Sequence, residues 1–397
     1  MRSGNEKSVG NTWCIGKGFE AAWTFFCLSK PCVSLSIDDN RAACILTRHT
    51  DTKAPVCNRA KCTQSCSKPN GGGVPLCRRS LANGGDRVYN QGHDKKAGER
   101  RVSFALIQGV TVMIIEREIM IPGGAGEKRA AIYQEQGEAP RAVIIYLHGG
   151  ALIYGSRLDL PETHKKALCG AGYAILAADY PLCPEARLPQ IVEDVSATVD
   201  WYLGAREELF GSRPGYFLFG RSAGAYLCLL AMRREFAERP LGIISYYGYG
   251  LLCGGWYNAP SAFYCRYPRM PESSIRKSGG RVNYELSMPL GYGTYVALRQ
   301  RGEWGRYLGG GDDARYTLRG FDASCAPPLF IAHSTGDTDV PYDEYLALKR
   351  LFPNAAHYSA CLPKHDFDAD PDAPSTAELL AATVDFLNAN TEKRESN

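Results

Sequence analysis

Downstream of residue 112, short apolar runs alternate with longer segments in which apolar residues recur at helical spacing. The run Ala142–Leu147 is almost continuously apolar, which is typical of a strand buried on both faces of a sheet. The predicted strands cover residues 114–121, 130–134, 142–147, 173–178, 216–219, 241–246, 328–333 and 357–361. The predicted helices cover residues 161–170, 188–205, 223–238, 343–351 and 376–388. This alternation predicts an α/β protein with a mostly parallel, doubly wound sheet and helices on both faces.

Residues 252–320 interrupt this alternation between two of the predicted strands. They are rich in tyrosine, tryptophan, arginine, proline and glycine, and helical spacing returns near residues 292–300. An insertion of this length is too long for a simple connection, so we predict a helical cap over the carboxyl edge of the sheet. Four of its aromatic residues either line an apolar pocket or form the core of the cap. These are Trp256, Tyr257, Tyr292 and Trp304.

Residues 1–112 differ from the rest of the chain in both pattern and charge. They hold 17 Lys/Arg against 8 Asp/Glu, whereas the remaining residues hold 29 against 34. They also contain few periodic stretches and many glycine and proline breakers. We interpret them as a basic, cysteine-rich extension that is disordered or not native, followed by a domain at residues 113–397. Because Met113 opens the first predicted strand, we expect the native chain to start at or near this residue.

Eight of the 15 cysteines lie in this extension. They could form a disulfide framework, but nothing in the sequence indicates export. The run Cys57, Cys62, Cys66 and Cys77 lacks the paired Cys-x-x-Cys arrangement of common structural zinc sites. We therefore predict no metal site, and a metal-dependent interaction module stays an alternative role for this segment.

The composition of the 397-residue chain narrows the classes of function. With 45% hydrophobic and 22% charged residues it is typical of a globular protein, which excludes a wholly disordered or collagen-like chain. No stretch of about 18 uncharged apolar residues is present, so we predict no membrane span. No secretory signal is recognisable, so a cytoplasmic location is expected. Basic residues are scattered rather than interleaved with aromatics, so no nucleic-acid partner is predicted, whereas homo-oligomer formation stays open.

The strongest chemical signal is Gly220-Arg221-Ser222-Ala223-Gly224, which lies between a predicted strand and a predicted helix. It matches the Gly-x-Ser-x-Gly nucleophile elbow, a sharp turn that exposes a serine hydroxyl above a sheet. Side chains two residues before and after the serine would collide in such a turn, which explains both glycines. The alternative is a tight turn that happens to contain a serine. We predict Ser222 as a nucleophile.

A second signal, His148-Gly149-Gly150-Ala151, directly follows the run at residues 142–147. Acyl transfer requires hydrogen-bond donors aimed at the developing oxyanion, and backbone N–H groups serve best where no side chain crowds the approach. We expect the N–H groups of Gly150, Ala151 and Ala223 to form this oxyanion hole, with His148 and Gly149 shaping the loop. The alternative is a glycine-rich loop that only lets the strand turn.

A serine nucleophile requires a general base, and the base requires an orienting acid. Three histidines follow Ser222, namely His333, His357 and His365. Only His365 follows the last predicted strand and therefore emerges at the same edge as Ser222, so we favour it as the base. The others are better explained as structural or surface histidines.

Two aspartates compete for the role of the acid. Both lie in the loop Gly336-Asp337-Thr338-Asp339-Val340-Pro341, which follows the predicted strand at residues 328–333. Asp337 stands four residues before Pro341, where the acid usually stands in this type of loop, and is favoured. Asp339 is the runner-up, and its alternative role is to cap the following helix.

These residues resemble the α/β-hydrolase fold and, within it, the hormone-sensitive-lipase-like esterases of the fold-3 type. The resemblance covers about residues 113–397 and includes Asp179-Tyr180-Pro181-Leu182-Cys183-Pro184-Glu185, which is similar to the signature Asp-Tyr-x-Leu-x-Pro-Glu. The chain departs from the family pattern in two ways. Ala151 replaces a frequent third glycine, and the usual N-terminal cap is not recognisable in residues 1–112. Capping is therefore expected from residues 252–320.

The resemblance implies hydrolysis of carboxylic esters through a Ser222–His365–Asp337 triad and an acyl-enzyme, without a cofactor. The expected partner is a small ester with a short acyl group. A peptidase or amidase with the same triad is an alternative, as is a binding protein that keeps the fold without the chemistry. Turnover of an ester beside its matching anilide would separate these hypotheses.

Overall fold

The computed structural model describes residues 100–107, 110–309 and 314–395. The strands are β1 (Arg100–Ile107), β2 (Val110–Gly123), β3 (Gly126–Glu135), β4 (Ala142–Leu147), β5 (Ala174–Ala178), β6 (Gly215–Arg221), β7 (Gly242–Tyr246), β8 (Leu329–Ser334) and β9 (Ala356–Ala360). The helices are α1 (Glu162–Gly170), α2 (Leu188–Phe210), α3 (Ala223–Ala231), α4 (Met288–Arg301), α5 (Trp304–Leu308), α6 (Tyr342–Leu351) and α7 (Pro374–Glu395). The predictions made for residues 1–99, including the cysteine framework, lie outside the described residues.

All nine of these strands form one sheet in the order β1-β2-β3-β5-β4-β6-β7-β8-β9. The pairs from β5 to β9 are parallel, whereas β1, β2 and β3 join the sheet in antiparallel register. The predicted α/β class and the mostly parallel sheet are confirmed. Because parallel strands share one carboxyl edge, the loops that follow β4, β6, β8 and β9 meet there.

The antiparallel end of the sheet starts earlier than the sequence pattern indicates. The strand β1 pairs with β2 from Arg100 opposite Arg117 to Ile107 opposite Val110. The predicted domain boundary at residue 113 therefore lies inside a strand rather than ahead of the sheet. The alternation of strand and helix that guided the prediction marks parallel units, and it carries no signal for an antiparallel neighbour at the edge.

The central elements are buried as their apolar sequences require. Every residue of β4, β5 and β7 is buried, and so is every residue of α3. A helix that is apolar all around must lie inside the protein, and α3 packs against β4, β6 and β7 of the sheet and against α2. It ends at Ala231 instead of residue 238, because the charged stretch that follows turns away into solvent-exposed positions.

The insertion between β7 and β8 contains helices joined by irregular segments. It contains α4, α5 and several short 3₁₀ turns. Three of its four predicted aromatic residues pack against one another, with Trp256 and Trp304 ring centroids 5.5 Å apart and Tyr257 edge-on to Trp256. No helix within the described ranges combines the length and apolarity that a membrane crossing requires.

Candidate active site

Ser222 lies on the turn between β6 and α3, in a backbone conformation of φ +53° and ψ −116°. Its amide donates a hydrogen bond to the Tyr246 carbonyl at 2.9 Å, which ties the turn to β7. A Cβ on Gly220 would lie 2.2 Å from the Gly224 carbonyl carbon, and a Cβ on Gly224 would lie 2.1 Å from the Leu147 carbonyl oxygen. The two glycines therefore serve different contacts. Gly220 clears the turn itself, and Gly224 lets α3 start directly against β4.

Gly224→Ala is expected to lower the free energy of unfolding by about 3 kcal/mol, because the new methyl group meets backbone atoms that cannot rotate away. Gly204→Ala is the matched control. Gly204 lies inside α2, and a Cβ added there would meet nothing within 4 Å, so alanine should stabilise the protein by about 0.5–1 kcal/mol. Urea unfolding measures both effects. A Gly224→Ala protein as stable as wild type would contradict this account of the elbow.

The structure brings Ser222, His365 and Asp337 into one hydrogen-bonded chain. The Nε2 atom of His365 lies 2.9 Å from the Ser222 Oγ, and its Nδ1 atom lies 2.7 Å from the Asp337 Oδ2. The three side chains come from the loops that follow β6, β9 and β8, which all end at the carboxyl edge of the sheet. The imidazole is therefore placed to take a proton from the serine on one side while the carboxylate holds its other nitrogen.

The carboxyl group of Asp337 is buried and fully engaged. Its Oδ1 accepts the amides of Asp339 and Val340 at 2.8 and 2.9 Å. Its Oδ2 faces the His365 Nδ1 and also lies 3.3 Å from the His333 Nε2. Burial opposes ionisation, but the two histidines outweigh it and hold the pKa of Asp337 well below its ordinary value. Asp337 is thus an anion throughout the neutral pH range.

The carboxylate of Asp339 has hydrogen-bond and ion-pair partners that differ from those of Asp337. Its Oδ1 accepts the hydroxyl groups of Tyr264 and Tyr295 at 3.0 and 2.7 Å, and the Arg299 guanidinium lies 3.4 Å away. All three partners belong to the insertion. The helix α6 begins after Pro341 without a side-chain cap. Asp339 therefore neither contacts His365 nor caps the helix, and it anchors the insertion to the loop that carries Asp337.

The other two candidate histidines lie away from the serine. His333 is buried near the end of β8, beside Asp337. His357 lies in β9 opposite Ile331, and its ring is 5.8 Å from that of Tyr345. Only His365 reaches Ser222 among these three. Burial opposes protonation of His365, but Asp337 outweighs it and raises the pKa of His365 to about 9.

The glycine-rich loop after β4 lies against the elbow. A Cβ on Gly149 would be 3.5 Å from the Ser222 Cβ, so these two residues are in close contact. At Gly150, φ is +96° and a Cβ would lie 1.9 Å from the Tyr154 carbonyl oxygen, so only glycine fits. Ala151 adopts a left-handed conformation with φ +57°. Among the described residues, the amides of Gly150, Ala151 and Ala223 have no hydrogen-bond acceptor, which leaves them available to a ligand.

The side chains of His148 and Tyr180 hold this loop in place by ring stacking and hydrogen bonding. Their rings stack with centroids 4.1 Å apart, and the Tyr180 hydroxyl donates to the His148 carbonyl at 2.8 Å and approaches that of Gly149 at 3.2 Å. The neighbouring Asp179 accepts the backbone amide and the guanidinium of Arg157 at 2.7 and 2.8 Å. The segment 179–185 therefore orders the loop by hydrogen bonding to its backbone.

The insertion reaches the same loop through a contact that sequence reasoning missed. The indole of Trp304 donates to the Ala151 carbonyl at 3.1 Å, and Tyr292 stands edge-on to Tyr154 with ring centroids 6.1 Å apart. Trp304 is buried, so it forms part of the core of the cap, whereas Tyr292 is half-buried. The spacing of aromatics along residues 252–320 could not indicate these partners, because both lie about 150 residues away along the chain.

The fold and the serine–histidine–aspartate geometry define an α/β-hydrolase fold with a serine at its nucleophile elbow. A family model described as BD-FAE matches residues 131–239. Among solved structures, a Staphylococcus aureus protein of unknown function is 28% identical, with a TM-score of 0.60 and coverage of 69% of this chain and 99% of that chain. An α/β-hydrolase superfamily protein from Enterococcus faecalis is 25% identical, with a TM-score of 0.59 and coverage of 68% and 98%.

Brefeldin A esterase, described as a bacterial homologue of human hormone sensitive lipase, shares the fold at 19% identity. Its TM-score is 0.51, with coverage of 70% of this chain and 78% of that chain. The comparisons confirm the α/β-hydrolase fold that the sequence motifs indicate, and brefeldin A esterase is one of the solved structures that share this fold.

Proposed function

We propose that the protein is a serine esterase that hydrolyses small carboxylic esters with short acyl groups. The observation that carries the proposal is the position of the His365 imidazole, 2.9 Å from the Ser222 Oγ and 2.7 Å from the Asp337 Oδ2. This arrangement supplies a nucleophile, a general base and an orienting anion in one line. The solved structures with the same fold include several esterases, which supports the same class of reaction.

In the first half of the reaction, the Ser222 Oγ attacks the ester carbonyl carbon while its proton passes to the His365 Nε2. A bond forms between Oγ and the carbon, and the carbonyl π electrons move onto oxygen. The Asp337 carboxylate stabilises the imidazolium that results, as its contact with Nδ1 allows.

The oxyanion is bound by the amides of Gly150, Ala151 and Ala223 in this proposal. These donors belong to a rigid backbone, so they need little reorganisation when the charge develops. Ala223 is also the first residue of α3, where the helix dipole favours a negative charge. Ala151 can replace a glycine here because only its N–H is used.

In the second half, the tetrahedral intermediate collapses and the bond between the carbon and the leaving oxygen breaks. The His365 Nε2 returns its proton to the leaving alcohol. A water molecule then attacks the acyl-enzyme, with His365 again taking the proton, and the acid and free Ser222 are released. The sequence of steps needs no metal ion or redox cofactor.

The preference for short acyl groups rests on how closely the insertion approaches the oxyanion loop. Trp304 is hydrogen-bonded to the Ala151 carbonyl, and Tyr154 and Tyr292 meet edge-on beside it. We infer that these large side chains limit the space for the acyl group of an ester bound at this loop.

Two other functions are compatible with the same residues. A peptidase or amidase would use Ser222, His365 and Asp337 in the same roles, and a binding protein would keep them without turnover.

The test is hydrolysis of p-nitrophenyl esters from acetate to decanoate by the full chain, beside the matching p-nitroanilides. We expect kcat/KM to be highest for acetate to butyrate and to fall at least about tenfold by decanoate, because each added methylene has to fit against packed aromatics. The anilides should be cleaved far more slowly. Preferred cleavage of decanoate would contradict the short acyl pocket, and preferred cleavage of the anilides would favour an amidase.

A further inference from the structure

A second buried charge cluster lies beside the catalytic residues, and its centre is Asp368. This carboxylate is fully buried. Its Oδ1 accepts the Tyr247 hydroxyl at 2.9 Å and the Arg221 Nη2 at 3.1 Å. Its Oδ2 lies 3.0 Å from the Arg221 Nε and 2.9 Å from the His164 Nε2. Two hydrogen bonds and two close charged contacts therefore converge on one carboxylate.

The cluster joins the two loops whose relative position sets the distance between base and nucleophile. Arg221 directly precedes Ser222 in the elbow, and Asp368 follows His365 by three residues. His164 adds a contact from α1, and Tyr247 adds one from the end of β7. A shift of either loop would break the contacts of Asp368 with Arg221.

Tyr247 connects the cluster to the catalytic histidine. Its ring lies 4.7 Å from the ring of His365, and the Arg221 guanidinium lies over the same ring at 5.8 Å. The side-chain hydroxyl that contacts Asp368 thus belongs to a ring that packs against the base. Displacing Asp368 would remove the hydrogen bond that holds the Tyr247 hydroxyl. The Tyr247 ring, which packs against His365, would then be less firmly positioned.

The charges in the cluster balance. Burial opposes ionisation of Asp368, but Arg221 and His164 hold its pKa well below the ordinary value. Burial lowers the pKa of His164, so His164 acts as a neutral donor at neutral pH. Asp368 and Arg221 then form a neutral pair, and neither charge acts alone on His365.

We propose that Asp368, through Arg221 and Tyr247, is a positioning residue that holds the His365 loop against the nucleophile elbow and screens His365 from the Arg221 cation. This role rests on the proposed esterase function. In this proposal Asp368 contacts neither the substrate nor the reacting atoms, and it acts only by positioning other residues. No motif used in the sequence analysis includes Asp368, although its spacing of three from His365 is visible in the sequence.

Asp368→Asn tests the proposal by two measurements. The first is the pKa of the His365 imidazole, followed by NMR titration of the resting protein and assigned from the resonance lost in His365→Gln. Removing the carboxylate leaves Arg221 as an unpaired cation within about 10 Å of His365, which should lower this pKa by about one unit. The second is kcat for p-nitrophenyl acetate, which should fall about tenfold or more with KM changed less than about twofold.

The pKa of the wild-type histidine sets the reference for this titration. Activity requires neutral His365, so kcat/KM should rise with pH through that pKa, and its acidic limb should lie above the ordinary histidine value of about 6.5. In Asp368→Asn the same limb should move to lower pH. The other carboxylates whose negative charge raises the pKa of His365 stay in place in this variant. They are Asp337, Asp339 and Asp366.

Asp194→Asn is the matched control. Asp194 is equally buried and is paired with the buried Lys128, but it holds α2 to the β2–β3 hairpin instead of the catalytic loops. The Asp194→Asn variant should have a lower free energy of unfolding in urea, while the pKa of His365 and kcat stay near the wild-type values. If Asp194→Asn changes both readouts as much as Asp368→Asn, the effect is general destabilisation and the proposal is wrong.

Two further variants separate charge from position. Arg221→Gln combined with Asp368→Asn removes both charges, so the His365 pKa should return to within about 0.3 unit of wild type while kcat stays low. Tyr247→Phe removes only the hydroxyl contact, and it should lower kcat several-fold at unchanged KM even if Asp368→Asn fails to fold.

An unchanged kcat in Tyr247→Phe, or an unchanged His365 pKa in folded Asp368→Asn, would overturn the proposal. The titration needs no substrate, so it stays informative if the wild-type protein cleaves no ester. In that case the proposed esterase function fails, while the coupling between Asp368 and His365 is still decided by the titration.

Discussion

Ser222→Ala is expected to lower kcat for p-nitrophenyl acetate at least about ten-thousand-fold, because the proposed acyl-enzyme forms on the Ser222 Oγ, which alanine lacks. Alanine can adopt the same strained turn as serine, so the fold should survive. The side chain of Ser222 also makes no contact that the core depends on, since its hydroxyl faces His365. A residual rate above background would come from the oxyanion hole and from binding alone.

The control for this loss is Ser245→Ala. Ser245 is a buried serine in β7, and its hydroxyl has no hydrogen-bond partner among the described residues. Its replacement should leave kcat within about twofold of wild type, because no catalytic contact is removed. Both variants are compared by thermal unfolding and by steady-state kinetics. If Ser222→Ala keeps more than a few per cent of the activity while remaining folded, Ser222 is not the nucleophile.

Asp337→Asn is expected to lower kcat roughly a thousand- to ten-thousand-fold with a smaller effect on KM. The amide is neutral, so it cannot stabilise the His365 imidazolium. It can also present an N–H group to Nδ1, which favours the imidazole tautomer that is unable to accept the serine proton. The amides of Asp339 and Val340 still find an oxygen at this position, so the loop should stay folded.

Asp339→Asn is the direct comparison, since it makes the same chemical change two residues away. Its oxygen can still accept the hydroxyl groups of Tyr264 and Tyr295. We expect kcat to fall less than about tenfold, because His365 keeps its partner. The pair of variants decides which aspartate is the acid. A greater loss in Asp339→Asn than in Asp337→Asn would reverse the assignment.

The parts of the fold that follow from local sequence could be predicted. Buried parallel strands are continuous apolar runs, so the predicted bounds of β4 and β5 lie within one residue of the observed ones. The elbow is recognisable from five consecutive residues, although only Gly220 is required by the turn itself and Gly224 is required by the contact with β4. The positions of Ser222 and His365 follow from this, since residues that end parallel strands meet at one edge.

Features that depend on distant contacts could not be predicted in the same way. Asp337 and Asp339 lie in one loop with similar neighbours in sequence, and distant contacts distinguish them. Asp337 contacts His365, whereas the insertion binds Asp339 through Tyr264, Tyr295 and Arg299. The role of Asp368 depends on partners that come from three other parts of the chain. Such contacts leave no periodicity and no motif in the sequence.

The separation of the three residues of the proposed triad along the chain has a consequence for the order of folding. The contact between Ser222 and His365 spans 143 positions, and the contact between His365 and Asp337 needs β8 and β9 to be paired. Closing such a long loop is slow compared with forming local helices. During synthesis, residue 365 must leave the ribosome before any proton can pass from the serine to a base. We therefore expect the nascent chain to bury most of its core before it can cleave an ester. The hydroxyl of Ser222 gains nucleophilic reactivity only at a late step of folding.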